Sequence, residues 1–558
     1  MVAVIICFIL SFFVFLTLGN FFILKTDKDN FNNYNTFDSF FIGISITGAF
    51  LNLWSLFFPT NGNVLVILMI ISLIVLLRNT NLKSKCYSLL QSLKNNSLFV
   101  GLILLFLAVF FVYLIIKPGH FDTYLYHMSS IQWIEQYRAV PGLANVQERL
   151  GFNSSIFVLS AGFSFYSWFG QNLFIINSLS LLIFSIWLLG IAFKKKGIVG
   201  LFSLFFLYFF LNQYAIYISS PNSDTLPNIF VGFLLIGIIL NPESLKNKYL
   251  LFLVLPLYGI TLKISMAPVV LLSCYALYIR NKNIVFFLKK MSLFTIVLVF
   301  PWLIRNIILS GYLIYPMDGI DLFSFDWKVP KERVVFVKSW IYSWAMDPTN
   351  DYHIVLNRSF SEWFSIWWAR TIDLNRIFFI SAALAPIFGM VYAFFIRKKE
   401  KYLILLTILI AYITFLFWLK APDFRFSFGI IIFLALLPLL LFEKLIIRFA
   451  KIYNPLLICS IFISFYLIGK KAYITFQNES FTENFSEYIY KPMDPSTIKI
   501  KRRARFYKKS YFTPNHTEYI FYGFYKDAPC YDQFPCSPKF DNFKMRGEDL
   551  INGFSPAN

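Results

Sequence analysis

Long apolar runs return from one end of this 558-residue chain to the other, and nothing else in it narrows the possible folds as much. At about 1.5 Å of rise per residue, roughly 20 helical residues cover the ~30 Å of a bilayer's hydrocarbon. Apolar runs lie near 2–24, 39–58, 64–77, 98–116, 171–193, 199–217, 226–240, 249–262, 265–279, 288–309, 377–396, 402–419, 426–442 and 454–470. Hydrophobic residues make up 58% of the chain and charged residues 14%, with a mean hydropathy of +0.65. Water is not the solvent such a composition selects. The expectation is an all-α polytopic membrane protein with about 14 transmembrane helices. The apolar start lacks a basic n-region and an A-x-A-like cleavage site, so it reads as a retained anchor.

Lys and Arg in short loops set orientation. The clusters beginning at Arg78, Lys194, Lys246, Arg280, Arg397 and Lys444 are expected on the cytoplasmic side. If 152–169 crossed, the Lys194 cluster would face out, so this segment is expected to lie along the outer surface as a juxtamembrane helix. The net charge of +21 is then explained by topology and anionic lipid headgroups, and no nucleic-acid partner is implied. Four stretches face outward together: 117–171, 218–225, 310–373 and 420–426. The two long ones are expected to fold into a cap or cleft. Trp340, Trp344, Trp363, Trp367 and Trp368 suit headgroup anchoring better than sugar stacking when each ring is taken alone.

The tail after residue 470 is polar and is expected to form a small C-terminal extramembrane domain, placed outside by counting spans. Cys530 and Cys536, the one closely spaced cysteine pair, suit a disulfide loop there, while Cys7, Cys86, Cys274 and Cys459 are scattered in or beside helices. The basic run 499–509 argues for the opposite side, but long tails escape the positive-inside bias. Four divisions follow: N-terminal extra helices 1–97, a membrane core 98–440, a final helix 441–470 and the domain 471–558.

Ionisable residues beside hydrocarbon are costly without a task or a partner. Asp122, Glu148, Arg149, Asp224, Lys263, Arg305, Lys420, Asp423 and Arg425 all fall at outward ends of spans. Asp122, bracketed by His120 and His127, and Asp224 could each serve as a general base or as a ligand of a divalent cation. For Asp224, followed by Thr225, Leu226 and Pro227, the plain alternative is a helix start. For Asp122 it is a surface turn, and the two histidines are more often hydrogen-bonded side chains than ligands. Singly, Lys263, Arg305 and Arg425 read as snorkelling residues; as a set beside two carboxylates they read better as a phosphate site.

The order of these residues carries a resemblance. An outer-loop acid at Asp122, the pair Glu148-Arg149, Asp224, "TLK" at 261–263, "PWLIRNIILSGYLIYP" at 301–316 and "APDFRFSFG" at 421–429 are together similar to the GT-C superfamily of membrane glycosyltransferases. The likeness is to the bacterial branch of the aminoarabinose and protein-mannosyl transferases, and it covers roughly residues 98 to 440. Where that family often has an adjacent acidic pair this chain has Phe121-Asp122-Thr123, and Leu150-Gly151-Phe152 replaces its usual Pro-Pro-Leu. The resemblance implies a multispanning bundle in a bacterial inner membrane with a periplasmic active site. The implied partners are a polyprenyl-phosphate-linked sugar donor, membrane lipids and a glycan, lipid or protein acceptor. In an inverting displacement Asp122 would be the base and Asp224 a second carboxylate. Lys263, Arg149, Arg305 and Arg425 would meet the phosphate, with Glu148 and His127 orienting the acceptor; a divalent metal ion is left open. A polysaccharide polymerase or ligase shares the donor and is the nearer alternative. A transporter or flippase of lipid-linked sugars would place charges near the bilayer midplane in repeated halves, which this chain does not display.

Overall fold

The computed structural model describes residues 1–79, 120–195, 197–395, 401–442, 506–524 and 533–557 without break, and isolated residues between them. The expected spans 98–116 and 454–470 fall mostly outside the described residues, as do Cys86, Cys530 and most of 471–505. The chain is mostly helical with a small C-terminal sheet region.

Helices α1 (Val2–Thr26), α2 (Thr36–Trp54) and α3 (Gly62–Arg78) open the chain. After the outward-assigned loop come α4 (Met128–Gln136) and α5 (Ser155–Gly162). The helices α6 (Ile175–Lys194), α7 (Ile198–Tyr214), α8 (Thr225–Leu240), α9 (Tyr249–Leu262) and α10 (Val270–Arg280) follow with short connections. Next are α11 (Ile284–Leu298) and α12 (Phe300–Ser310), then α13 (Lys331–Met346) and α14 (Phe360–Arg370). The helical part ends with α15 (Asp373–Ala383), α16 (Ala385–Phe395), α17 (Lys401–Trp418) and α18 (Phe424–Leu440). Among the described residues, five helices are long and apolar enough to cross a membrane, or seven if each of two bent pairs is one span. The bends, 42° between α11 and α12 and 52° between α15 and α16, fall where Pro301 and Pro386 open the second helix of each pair, a position that tolerates the missing N–H.

α1 and α2 pack at backbone distance. A Cβ on Gly19 would overlap the Ser39 carbonyl, and one on Gly43 the Phe15 carbonyl. The absence of side chains lets the helices meet, as small residues do where no water drives association. Ser39 Oγ donates to Asn20 Oδ1 across the same crossing at 2.9 Å.

Polar contacts join loops at each end of the bundle. At one end Asp27 meets Arg280 at 3.4 Å and Asp38 meets Lys248 at 2.7 Å. At the other, Thr60 N donates to Ile134 O and Ala139 N to Ser55 O, both at 2.8 Å. The segment expected to lie on the surface divides: every residue of α5 is buried, packed on α2 and α4, while Tyr166, Ser167 and Trp168 after it are exposed. The α5 serines do not need water, because Asn52 Nδ2 donates to Ser155 Oγ at 2.8 Å. Eight residues reach only about 12 Å, so α5 does not cross.

The tail forms β1 (Phe506–Phe512) and β2 (Glu518–Phe524), an antiparallel hairpin, with β3 (Cys536–Ser537) parallel to β2. A second pair, β4 (Phe543–Met545) and β5 (Phe554–Pro556), is antiparallel. Its core is shared with the 133–150 loop, Phe521, Phe543 and Phe554 clustering with Trp133, Val146 and Leu150. The tail therefore sits on the same end as that loop. Cys536 is disulfide-bonded, and Cys7, Cys274 and Cys459 are free.

Replacing Gly43 with Leu is expected to separate α1 from α2 and to cost at least 1–3 kcal/mol, roughly the range for overpacking against atoms that cannot move. A lowered thermal midpoint in detergent checks it, with Gly237→Ala, which meets open space, leaving the midpoint nearly unchanged.

Candidate functional site

One cavity of about 630 Å³ opens at the end of the bundle that carries the 120–173 loop, and its walls come from every outward-assigned stretch. Asp122, Glu148, Arg149, Asp224, Lys263, Arg425, His120 and His127 all border it. Residues up to 305 positions apart in sequence are in direct contact there.

The start of α8 explains why Asp224 is available. Asn222 Oδ1 accepts from Asp224 N at 3.1 Å, Thr225 N at 3.0 Å and Thr225 Oγ1 at 2.8 Å. Asn222 thus supplies the cap, and Asn177 Nδ2 pins the loop through Ser220 O and Asn222 O. Freed from capping, the buried Asp224 carboxylate accepts from the Lys263 ammonium. Burial alone would raise the Asp224 pKa, but Lys263, then Arg425, hold it below the ordinary carboxylate value. Lys263 lies on extended backbone between α9 and a 3₁₀ turn, its ammonium 3.7 Å from the centre of the Phe426 ring. It points into the cavity wall and not out to headgroups.

Arg425 opens α18 with its guanidinium on Asp423, Nη2 to Oδ2 2.9 Å, and over Trp344 at 5.2 Å. Its Nη1 donates to His120 Nε2 at 3.1 Å. Trp418 Nε1 donates to Asp423 O at 2.7 Å and Trp367 Nε1 to Pro422 O at 2.8 Å, which fixes the 420–425 turn. The tryptophans divide: Trp363 and Trp367 are core, whereas Trp340 and Trp344 face the cavity under Arg149 and Arg425. Trp363 and Trp367 are too buried to anchor at headgroups, while Trp340 and Trp344 are partly exposed.

Asp122 precedes a π-helical turn, Thr123–His127, a local widening that recurs at functional sites. Its carboxylate lies 3.8 Å from His120 Nδ1 and is about a third exposed, at 34%. His120 and His127 are buried, and burial, with nearby Arg425, holds both below the usual imidazole value and so neutral. Ligand atoms of His120, Asp122 and His127 lie within 4.8 Å of one another. Two neutral imidazoles and a carboxylate could hold a divalent transition metal. Arg425 meets His120 Nε2 and Asp122 N meets His120 Nδ1 at 3.2 Å, so an ion there would have to displace one of these contacts.

Arg149 lies over Trp340 at 5.0 Å and Tyr126 at 6.0 Å. Its Nη1 is buried without a hydrogen-bond partner among the described residues. Arg305, expected at the phosphate, is not a wall of the cavity. It is 3% exposed and donates through Nε to Asn153 Oδ1 at 3.0 Å and through Nη1 to Ser55 Oγ at 3.2 Å. Trp302 and Asn306, one turn apart, take the cavity face of α12, and Arg305 lies about 100° round from Asn306, towards α2. Arg305 acts on the site only by holding Asn153, which does line it.

Sequence reasoning missed Asn222, Asn153, Tyr315 and Lys539. A run of Pro, Asn, Ser and Asp at 221–224 signals a turn that one of its polar residues must cap; Tyr315 lies within the 301–316 motif, and nothing local marks Asn153 and Lys539.

The chain belongs to the family DUF8201, a domain of unknown function, whose model matches residues 1–432. No curated protein and no solved structure matches it. The DUF8201 span contains the helical walls of the cavity, while Lys539 joins them from beyond it.

Beside Lys539, Asp541 lies against Glu148, and burial, then Glu148, push its pKa up to about 7. Arg333 and Lys539 stand 3.7 and 3.9 Å away. A carboxyl raised above its unfolded value favours the docked tail when protonated, so docking weakens as pH rises from the ordinary carboxyl range through about 7. Limited proteolysis of the tail is expected to be faster at pH 8 than at pH 5, and Asp541→Asn to flatten that difference.

Proposed function

We propose that the chain is a polytopic membrane glycosyltransferase with a GT-C-like bundle. It would move a sugar from a polyprenyl-phosphate donor to a cell-envelope acceptor at the outer face of a bacterial inner membrane. The observation that carries this reading is the meeting of a partly exposed carboxylate, Asp122, with the cations Arg149, Lys263 and Arg425 in one cavity at the ends of apolar helices. A prenyl tail must stay in hydrocarbon while its phosphate reaches polar groups, and the apolar wall of Ile260, Leu262, Ile264 and Phe417 beside Lys263 offers that junction. Charges at helix ends favour this over a transporter, whose ionisable groups sit at mid-membrane.

The acceptor hydroxyl attacks the anomeric carbon as the bond from that carbon to the phosphate oxygen breaks. Asp122 takes the hydroxyl proton on the face opposite the leaving group. Negative charge grows on the phosphate, where Lys263 and Arg425 stabilise it, while Arg149 holds the substrate. Asp224 and Asp423 position Lys263 and Arg425 for that contact. His127 shapes the acceptor side. A divalent ion at His120, Asp122 and His127 would add a Lewis acid beside the base.

In nanodiscs, with lipid-linked sugars extracted from the source cell, the protein is expected to release free polyprenyl phosphate. Asp122→Asn should slow release by about 10²- to 10⁴-fold with the fold intact, the usual reach of a general base. Full activity would remove Asp122 from the mechanism, and no release by the native chain would sink the reading. Lys263→Ala should raise the donor KM more than it lowers kcat; an unchanged KM would leave Lys263 a purely structural partner of Asp224.

A further inference from the structure

The end of the cavity farthest from Lys263 in chemistry is built jointly by the 145–150 loop, the stretch after α12 and the C-terminal sheet. Asp541 N donates to Val146 O at 3.0 Å and Phe554 N to Pro141 O at 2.9 Å. Arg546 grips Asp326 through two nitrogens, at 2.7 and 3.1 Å. These contacts and the shared core carry Lys539 onto the cavity wall beside Glu148, Arg149 and Tyr315.

What distinguishes this end is unmet polarity. Arg149 Nη1 and Tyr315 Oη, both on the cavity wall, are buried with no hydrogen-bond partner among the described residues, while behind them Arg333 Nη1 and Asp541 Oδ2 face each other at 3.7 Å. Such atoms are rare in folded proteins, and two on one wall mark a place for a ligand's polar groups. Donors and acceptors of both charge signs are mixed there, Glu148 and Asp541 against Arg149, Arg333 and Lys539. A polyanion would meet two carboxylates and an apolar ligand would leave every group unsatisfied. Hydroxyls, each able to donate and accept, suit the set, and the Trp340 face beside Arg149 offers a platform for a pyranose ring.

We propose that this end of the cavity is the subsite for a neutral, hydroxyl-rich glycan acceptor, and that the C-terminal unit, through Lys539 and Asp541, sets which acceptor is taken. The proposal rests on the glycosyl-transfer reading. Glu148 and Arg149 are the contacts from the family span, Lys539 is the contact from outside it, and Asp541 positions Glu148.

The test uses the full chain in nanodiscs, an array of neutral and acidic oligosaccharides, and farnesyl phosphate as a separate probe of the donor end. Neutral oligosaccharides are expected to be retained, and Lys539→Ala and Asp541→Asn each to weaken retention by about 10-fold or more, the scale of one charge-assisted hydrogen bond. Farnesyl phosphate should bind equally in both variants. Lys539 has a 70% exposed side chain, so its truncation spares the fold even if Asp541→Asn loosens the tail. Retention unchanged in Lys539→Ala, or retention of acidic oligosaccharides alone, overturns the proposal. No retention by the native chain also overturns it. In that case farnesyl phosphate binding that Lys263→Ala weakens keeps the donor reading, and its absence removes both.

Discussion

Charge buried at the ends of apolar helices has to be neutralised locally, and this requirement organises both ends of the molecule. Leaving one member of a buried ion pair alone costs on the order of 3–5 kcal/mol. Asp224 with Lys263 joins the start of α8 to the end of α9, and Asp423 with Arg425 closes the turn that opens α18. His120 ties the second pair to the outer loop. At the opposite end Asp27 with Arg280 and Asp38 with Lys248 join the α1–α2 connection to the ends of α9 and α10. The hydrophobic cluster between these ends is large but nondirectional. The pairs supply register.

This explains what could be read from the sequence and what could not. Each charge in a mostly apolar chain is conspicuous, so the residues that meet at the cavity could be gathered from composition and loop alternation alone. Their partners could not, because an ion pair depends on which helix faces which. Arg305 shows the limit: it carries the same signals as Arg425 but lies on a neighbouring face of its helix. α5 shows another, since a segment peppered with serine looks amphipathic until a buried Asn52 meets Ser155. Helix count suffers for a related reason. Several apolar helices here run 14 to 17 residues, and a hydropathy run does not tell a short buried helix from a full crossing.

The C-terminal unit was the least legible part. Its aromatic residues have no helical period, and its function in the fold is defined by a core it shares with residues some four hundred positions earlier, Phe554 and Asn145 being hydrogen-bonded at 3.3 Å. Polar tails usually read as appendages. Here Lys539 lies on the cavity wall itself.

The pairing of the cavity's cations also bears on how such a site would discriminate states of a reaction. Lys263 and Arg425 each already face a carboxylate, so a ground-state phosphate gains little by displacing it. Charge that grows during bond cleavage gains more, because the cations are fixed in a partly desolvated wall and need not reorganise. Arg149 differs, with no carboxylate within ion-pair distance among the described residues and one nitrogen unmet. On the proposed reading the labour divides accordingly: Arg149 contributes mainly to holding the substrate. Lys263 and Arg425, held by Asp224 and Asp423, contribute mainly as the leaving group departs.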